Sequence, residues 1–313
     1  TVIDTVSGAI GSYIDSTIKP DTKYYYKLFA YDDAGSDGMQ TGIEGNYSSD
    51  ITAQTEVEWV ATYGYNLLTG QRIEDAIGLT QSNFNSIYPY SDIARCVVDS
   101  LGNPAYYLDE NNSALQEDGI TPSVLDGTDG QVVTEIPEFY YSKNTNEVRI
   151  SKETFAGATK FDRTYIGFAE SSEDTLNNKL KSVVGEQPTK LKSLTEFRTM
   201  ASNVGTGWQL VDYKTRDALK ILFLIEYGGA NSQTLIGSGI VSELNEKVTG
   251  GTISLGNKTG IGLDGSVSYR GIENLWGNID EIVEGLVATD TSYYVADTNY
   301  GSFVDDVTTG SYV

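Results

Sequence analysis

The chain has 313 residues, of which 39% are hydrophobic and 21% charged, so it can bury the cores of folded domains. Its 44 acidic and 21 basic residues give a net charge of −23, which disfavours binding to nucleic acid and to anionic membranes. Histidine is absent, which excludes the commonest general base and the usual zinc ligand. No apolar run approaches the roughly 20 residues of a bilayer span, so we expect no membrane insertion.

Cysteine, tyrosine and the acidic residues each suggest a property of the fold. The single cysteine, Cys96, lies in the apolar stretch 93–98 and is predicted to be a buried strand thiol. The 22 tyrosines favour a recognition surface, although tyrosine is also an ordinary strand residue. The acidity either keeps a secreted or particle-bound protein soluble or provides a calcium site. The Asp- and Gly-rich segment 125–130 is the candidate for calcium, but its spacing favours a plain turn, and we predict no metal or cofactor.

The first part of the chain, residues 1–56, is predicted to be all-β. The stretch 24–30 alternates as a strand does, and it follows a turn signal at 19–22. The pattern leading into Tyr24 resembles the turn before the tyrosine-corner strand of fibronectin type III domains, with Tyr24 as the corner residue. The last strand is expected over 48–55, followed by a linker at 56–58. Since only the later strands of such a domain are present, we expect the chain to begin partway through a longer polypeptide.

The second part, residues 57–313, mixes strand and helix patterns, so the predicted fold class is α+β. Strand candidates alternate with turns rich in glycine, asparagine, aspartate and proline. They are Val97–Val98, Ala105–Leu108, Val132–Tyr141 and Arg163–Phe168.

Two helices are predicted after residue 190. A capping box at Ser193 and Glu196 opens a short helix that runs through about Ala201. A longer helix begins after the N-cap Asp212 and runs to Tyr227, where two glycines end it. Its apolar residues recur at spacings of three and four, which predicts that one face packs on a core. They are Ala218, Ile221, Leu222 and Ile225.

The segment 268–285, which reads SYRGIENLWGNIDEIVEG, is the most informative in the chain. It resembles the RG-EN-WGN segment of the C-type-lectin-like fold, in the branch shared by formylglycine-generating enzymes and phage variable receptor-binding proteins. The chemistry of its residues predicts a scaffold role. Trp276 can fill a core slot, Gly277 allows a tight turn, and Asn278 can bridge backbone groups.

The segment also offers an ion pair, because Arg270 can pair with Glu273 or Glu281 to fix the loop. Other stretches resemble the N-terminal parts of phage tail or capsid-fibre proteins. These stretches are 87–98, 106–108, 125–131, 135–141 and 206–210, the last of which contains Trp208. The resemblance covers roughly residues 59–313 and implies a C-type-lectin-like phage fibre domain over 57–313.

The chain departs from these families in three respects. Formylglycine-generating enzymes need cysteines at their active site, and no cysteine follows Cys96, so their oxidase activity is not implied. The Glu-Pro-Asn and Gln-Pro-Asp calcium motifs of the fold are missing. In phage proteins of this kind the ligand surface follows the Trp-Gly-Asn segment, so we expect part of that surface to be missing from a chain that stops at Val313.

An aromatic and polar run follows the Trp-Gly-Asn segment and supplies the candidate ligand-binding residues. Exposed, such a run suits recognition by stacking and hydrogen bonding; the alternative is a strand with its tyrosines buried in a sheet. The candidates are Tyr293, Tyr294, Asp297, Asn299, Tyr300 and Phe303. We predict no catalytic residue.

Three functions remain open from the sequence. The first is a phage virion surface fibre, with a lectin-like head that binds a host cell-surface glycan or protein. The second is a structural virion protein that contacts only other virion proteins, as a capsid decoration or a fibre connector. The third is a carboxylate-dependent glycan hydrolase, favoured only by the number of acids. We expect the first, without enzyme activity, and a homo-oligomer that is a trimer by analogy with phage fibres.

Overall fold

The structure is a computed structural model that describes residues 60–241 and 246–286 in full and the backbone of 24–27, 54–57, 287–288 and 293–295. The chain forms two compact units, Thr1–Ala61 and Thr62–Val313, so the division lies a few residues after the predicted boundary between 56 and 57. Within the described ranges, no helix has the length and apolarity to cross a membrane.

The described elements are antiparallel strands and a few helices, which makes the fold class α+β. The strands are β1 (Tyr24–Lys27), β2 (Gln54–Val57), β3 (Thr62–Asn66), β4 (Gln71–Glu74), β5 (Ala94–Val98), β6 (Pro104–Tyr107), β7 (Gln131–Ile136), β8 (Phe139–Lys143), β9 (Glu147–Ser151), β10 (Thr159–Phe161), β11 (Thr164–Gly167), β12 (Ser172–Asp174), β13 (Lys179–Lys181), β14 (Gly260–Ile261), β15 (Val267–Tyr269), β16 (Ile272–Glu273), β17 (Leu286–Ala288) and β18 (Tyr293–Val295). The helices are α1 (Leu194–Ser202), α2 (Tyr213–Tyr227) and α3 (Ser232–Leu235), and short 3-10 turns lie at Gln81–Ser86, Tyr90–Asp92 and Ile253–Leu255.

In the first unit the described backbone is one antiparallel pair, in which β1 faces β2 with Tyr24 opposite Val57. The predicted linker at 56–58 is therefore wrong, because Glu56 and Val57 belong to β2. The side chain of Tyr24, the predicted corner residue, lies outside the described residues.

The second unit contains two principal sheets. One has the strand order β10-β8-β9-β3-β4 and the other the order β11-β7-β5-β6. The predicted single strand Val132–Tyr141 is wrong: the chain forms β7 and β8, which belong to different sheets. Pro137 separates them, since proline has no N–H with which to continue a ladder.

The sheet built on β5 buries both of its faces. Val97 and Val132 pack with Phe168 on one side, and Cys96 packs with Val133 on the other, as the two-residue period of a strand requires. The prediction for Cys96 is confirmed, because its side chain is fully buried and burial raises the pKa of the thiol to about 12.

Both predicted helices, the short one and the longer one, are confirmed together with their caps. Ser193 and Glu196 form the reciprocal capping box of α1. Asp212 caps α2 by accepting a hydrogen bond from the Thr215 amide, and Gly228 ends the helix in the left-handed conformation. Helix α2 packs against β3 and β9 and buries more than the predicted face, including Leu219 and Glu226.

Candidate functional site

The segment predicted to be scaffold contains a buried hairpin of the second unit. Strands β15 and β16 pair with Tyr269 opposite Ile272, which leaves a two-residue turn at Arg270 and Gly271. Both turn residues have positive φ, 50° and 80°, the conformation that matches the twist of paired strands. The Gly271 carbonyl accepts hydrogen bonds from Arg95 Nε (2.6 Å) and Thr134 Oγ1 (2.7 Å), so the turn is attached to the sheet of β5 and β7.

Arg270 pairs with Glu226 of α2, so the predicted partners Glu273 and Glu281 are both wrong. Arg270 Nη2 lies 2.7 Å from Glu226 Oε1, and its Nε lies 3.2 Å from Oε2. Gln81 Nε2 donates a third bond, of 2.6 Å, to Oε1 of the same carboxylate. The Glu226 side chain is fully buried, so this pair fixes the turn to the helix away from solvent.

Glu273 is buried as well, but its carboxylate accepts hydrogen bonds from backbone amides and from Thr252, not from an arginine. Its carboxylate accepts bonds from the Gly250 amide (2.8 Å), the Thr252 amide (2.7 Å) and Thr252 Oγ1 (2.6 Å). Thr252 in turn accepts a 2.7 Å bond from Arg95 Nη2. A buried carboxylate and a buried guanidinium are thus linked through one threonine hydroxyl.

The Trp-Gly-Asn part of the segment lies at the edge of this core. Trp276 is half-buried instead of filling a core slot: its Nε1 donates to the Gly237 carbonyl (2.9 Å), and its ring meets Phe223 edge-on. Gly277 has a φ of 85°, and a Cβ there would lie 2.8 Å from the Ile240 nitrogen, so a glycine is required. The predicted role of Asn278 is confirmed, because its amide bonds the Lys247 nitrogen (2.8 Å) and carbonyl (3.3 Å).

The structure describes little of the predicted ligand-binding run. Tyr293 and Tyr294 have only a described backbone, in β18, and the other candidates lie outside the described residues. These other candidates are Asp297, Asn299, Tyr300 and Phe303.

A broad, open groove of about 1240 Å³ crosses the second unit. Its walls come from β11, β13, α1, the loop 204–212 and the segment 275–283. Three half-buried aromatic rings line it, those of Tyr165, Phe197 and Trp208. Trp208 packs beside Cys96 and Val133 and donates from Nε1 to the Ser100 carbonyl (2.9 Å). The sequence predicts Trp208 as a structural residue, and the structure places it in a wall of the groove.

The rim of the groove carries apolar side chains that face solvent. Leu191 is 98% exposed, Leu101 73% and Val241 56%, and Ile282, which is 40% exposed, also lines the groove. Leu191 also has a φ of 61°, a conformation that a branched side chain adopts only at a cost of about 1–3 kcal/mol. Exposed apolar side chains around one groove, on so acidic a chain, make this groove the candidate contact surface.

The cations of the groove are all neutralised. Each lysine or arginine that lines the described groove has a carboxylate within 4 Å. The pairs are Arg163 with Glu135, Lys181 with Glu186, Lys190 with Glu246, Lys192 with Glu173, and Arg216 with Glu281.

One acid of the groove stands apart from these pairs. Glu170 is 8% exposed, and its Oε2 accepts a long bond of 3.4 Å from Asn274 Nδ2. Among the residues that the structure describes, Oε1 has no hydrogen-bond partner. Burial raises the pKa of Glu170 to about 7, and the nearby charge of Glu281 adds to the rise.

We predict that Glu170 makes the chain less stable as the pH rises from about 4.5 to about 7. In this window the folded chain holds a proton that the unfolded chain has released, because the pKa of Glu170 rises from 4.5 to about 7 on folding. The loss amounts to about 3 kcal/mol above pH 7. Urea unfolding of the wild type and of Glu170→Gln at pH 4.5 and pH 8 tests this. Between pH 4.5 and pH 8 the unfolding free energy of the variant should rise relative to that of the wild type by about 3 kcal/mol. Unfolding free energies that change with pH in parallel in the two proteins would contradict the prediction.

The sequence does not predict Glu170 or the groove. The pattern around Glu170 is an ordinary strand end, and the groove-lining residues are spread from 101 to 283. No protein-family model, no curated protein and no solved structure matches this chain. Within the described ranges, no cluster of three or more acidic or cysteine side chains is placed to hold a metal.

Proposed function

We propose that this chain is a surface fibre protein of a bacteriophage particle that attaches to a host cell through the groove of its second unit. In this proposal the second unit is a C-type-lectin-like head, and the first is a fibronectin type III-like spacer. The head binds a cell-surface glycan or protein, and the chain performs no catalysis.

The geometry of segment 268–278 supports the scaffold part of the proposal. Its hairpin turn is attached to a sheet through the Gly271 carbonyl and to a helix through Arg270 and Glu226. A segment whose charged residues make hydrogen bonds inside the protein has a structural role, and we expect other surfaces to bind the ligand. The resemblance of this segment to the Trp-Gly-Asn segment of lectin-like phage proteins supplies the rest of the argument.

The exposed apolar rim around the aromatic walls of the groove is the observation that carries the binding function. Half-buried rings such as Trp208 offer a large rigid contact area at small entropic cost. Leu191 and Leu101 place apolar surface in water, where it stabilises nothing until a ligand covers it. The groove therefore has the composition of a contact surface, with anchors inside and an apolar rim.

We predict that Leu191→Asp weakens binding of the purified chain to host cells at least tenfold, because it places a charge in the apolar rim. Aspartate tolerates the positive φ of this position better than leucine does, so the fold should be unchanged. Leu176→Asp is the matched control, since Leu176 is 94% exposed at a hairpin outside the groove. The measurement is flow cytometry of labelled chain on a panel of bacterial strains, with thermal unfolding of each variant.

If Leu191→Asp and Leu176→Asp bind host cells equally well, the groove is not the surface that attaches to the host. Association with other virion proteins but with no strain of the panel would favour the alternative of a structural capsid or fibre component. Release of sugar from host polysaccharide by the wild type would contradict the absence of catalysis.

A further inference from the structure

The charge balance of the groove determines which ligand it suits. The chain as a whole is strongly acidic, yet the cations in the groove lie against carboxylates, for example Lys192 with Glu173 at 2.9 Å and Arg216 with Glu281 at 2.9 Å. An anionic ligand would have to displace one of these carboxylates before it met a free positive charge. A neutral ligand enters without breaking any pair, so the groove favours an uncharged partner.

The groove also contains one polar atom that lacks a partner. Glu170 Oε1 is buried, and no described residue donates a hydrogen bond to it. The groups that face the Glu170 carboxyl are the amides of Asn274 and Asn278 and the carboxylate of Glu281, which is itself paired with Arg216. A buried acceptor without a donor is costly. Rotation of the Glu170 side chain toward the groove that it lines would bring Oε1 to a ligand hydroxyl and relieve this cost.

We propose that the groove binds a neutral, hydroxyl-bearing glycan and that Glu170 is its polar anchor, accepting a hydrogen bond from a sugar hydroxyl at Oε1. The inference rests on the proposed function and specifies its ligand. The aromatic rings of Tyr165, Phe197 and Trp208 provide the apolar faces against which sugar rings stack. The hydrogen bond to Glu170 fixes the orientation of the sugar. This combination suits a glycan better than a polypeptide, since the neutral groove offers no free charge to fix the register of a peptide.

The protonation of Glu170 makes this binding depend on pH. The ionised carboxylate accepts at both oxygens and is a stronger acceptor than the protonated acid, and burial holds the pKa of Glu170 at about 7, with Glu281 adding to the rise. Raising the pH from 5.5 to 8.5 should therefore increase the affinity for a neutral glycan about threefold or more. Glu170→Gln should bind with an affinity that does not change over this range.

The test is calorimetric titration of the full chain with cellohexaose, mannohexaose and chitohexaose, and with hexagalacturonate as the anionic probe. We expect binding of a neutral hexasaccharide at millimolar concentration or below, and a loss of about tenfold or more in Glu170→Leu. Glu153→Gln is the control, because Glu153 is exposed and lies outside the groove. Glu170→Gln retains the size of the side chain, so a change in its pH profile cannot come from misfolding.

The outcomes separate this inference from the proposed function. Preference for hexagalacturonate, or binding of a neutral probe that is unchanged in Glu170→Leu, overturns the inference. Binding to host cells that protease treatment abolishes, with no affinity for any hexasaccharide, overturns it as well and leaves host attachment intact. If a neutral hexasaccharide binds in a way that depends on Glu170 but the chain binds no bacterial strain, the inference is supported and the proposed host attachment is contradicted.

Discussion

Arg270→Met is expected to lower the free energy of unfolding by about 3–5 kcal/mol, because it leaves the carboxylate of Glu226 buried without its cation. Glu226 is fully enclosed, and its remaining side-chain donor is the Gln81 amide at 2.6 Å. Methionine keeps an unbranched apolar stem but loses the guanidinium, which lies 5.4 Å from the centre of the Tyr90 ring. Neither side chain favours the positive φ at this position, so the backbone cost is similar in both proteins.

Urea denaturation of Arg270→Met, Glu226→Gln and the double variant measures this effect. The double variant should lose less than the sum of the two single losses, with an interaction energy of about 0.5–3 kcal/mol. Strictly additive losses would show that the two side chains do not stabilise each other, and the 2.7 Å contact would then have no energetic significance.

Arg95→Met is expected to cost a similar amount, about 3–5 kcal/mol, because Arg95 is fully buried and bonded at every nitrogen. Its guanidinium donates to the Gly271 carbonyl, Ser113 Oγ and Thr252 Oγ1, and lies 5.2 Å above the Phe168 ring. Burial lowers the pKa of Arg95 to about 10, and the charge of Glu273 opposes that fall. The side chain is therefore charged at neutral pH, and its removal leaves Glu273 without a compensating cation.

Arg163→Met is the matched control for this variant. The Arg163 side chain is 59% exposed and lies 3.8 Å from Glu135, so its loss should change the unfolding free energy by less than about 1 kcal/mol. Thermal and urea unfolding of the two variants give the comparison. Similar losses in both would mean that the buried position of Arg95 adds nothing to its contribution.

Local signals predict the helices of this chain well. Ser193 with Glu196, and Asp212 with Gly228, specify where α1 and α2 begin and where α2 ends, because capping depends on residues three or four positions apart. The burial of Glu226 in α2 is not predictable in this way, since it depends on an arginine that comes 44 positions later in the chain.

Long-range contacts account for the other failures of the sequence predictions. The stretch 132–141 has continuous strand character, and only Pro137 indicates that the chain passes from one sheet to another there. The predicted pairing of Arg270 with Glu273 or Glu281 considers only neighbours in the sequence, whereas the actual partner lies on α2. The groove brings together side chains from seven or more separate stretches of the chain, so no local motif identifies it.

The strand pairing of the second unit also has a consequence for its biosynthesis. Strand β3 is the first of its sheet to leave the ribosome, yet its neighbour β9 follows much later, with Thr62 opposite Ser151. Gly271, whose carbonyl accepts a hydrogen bond from Arg95 Nε, is translated later still. A nascent chain that has not reached residue 271 cannot bury Arg95 against its native partners, so the second unit completes its fold only after most of it has been translated.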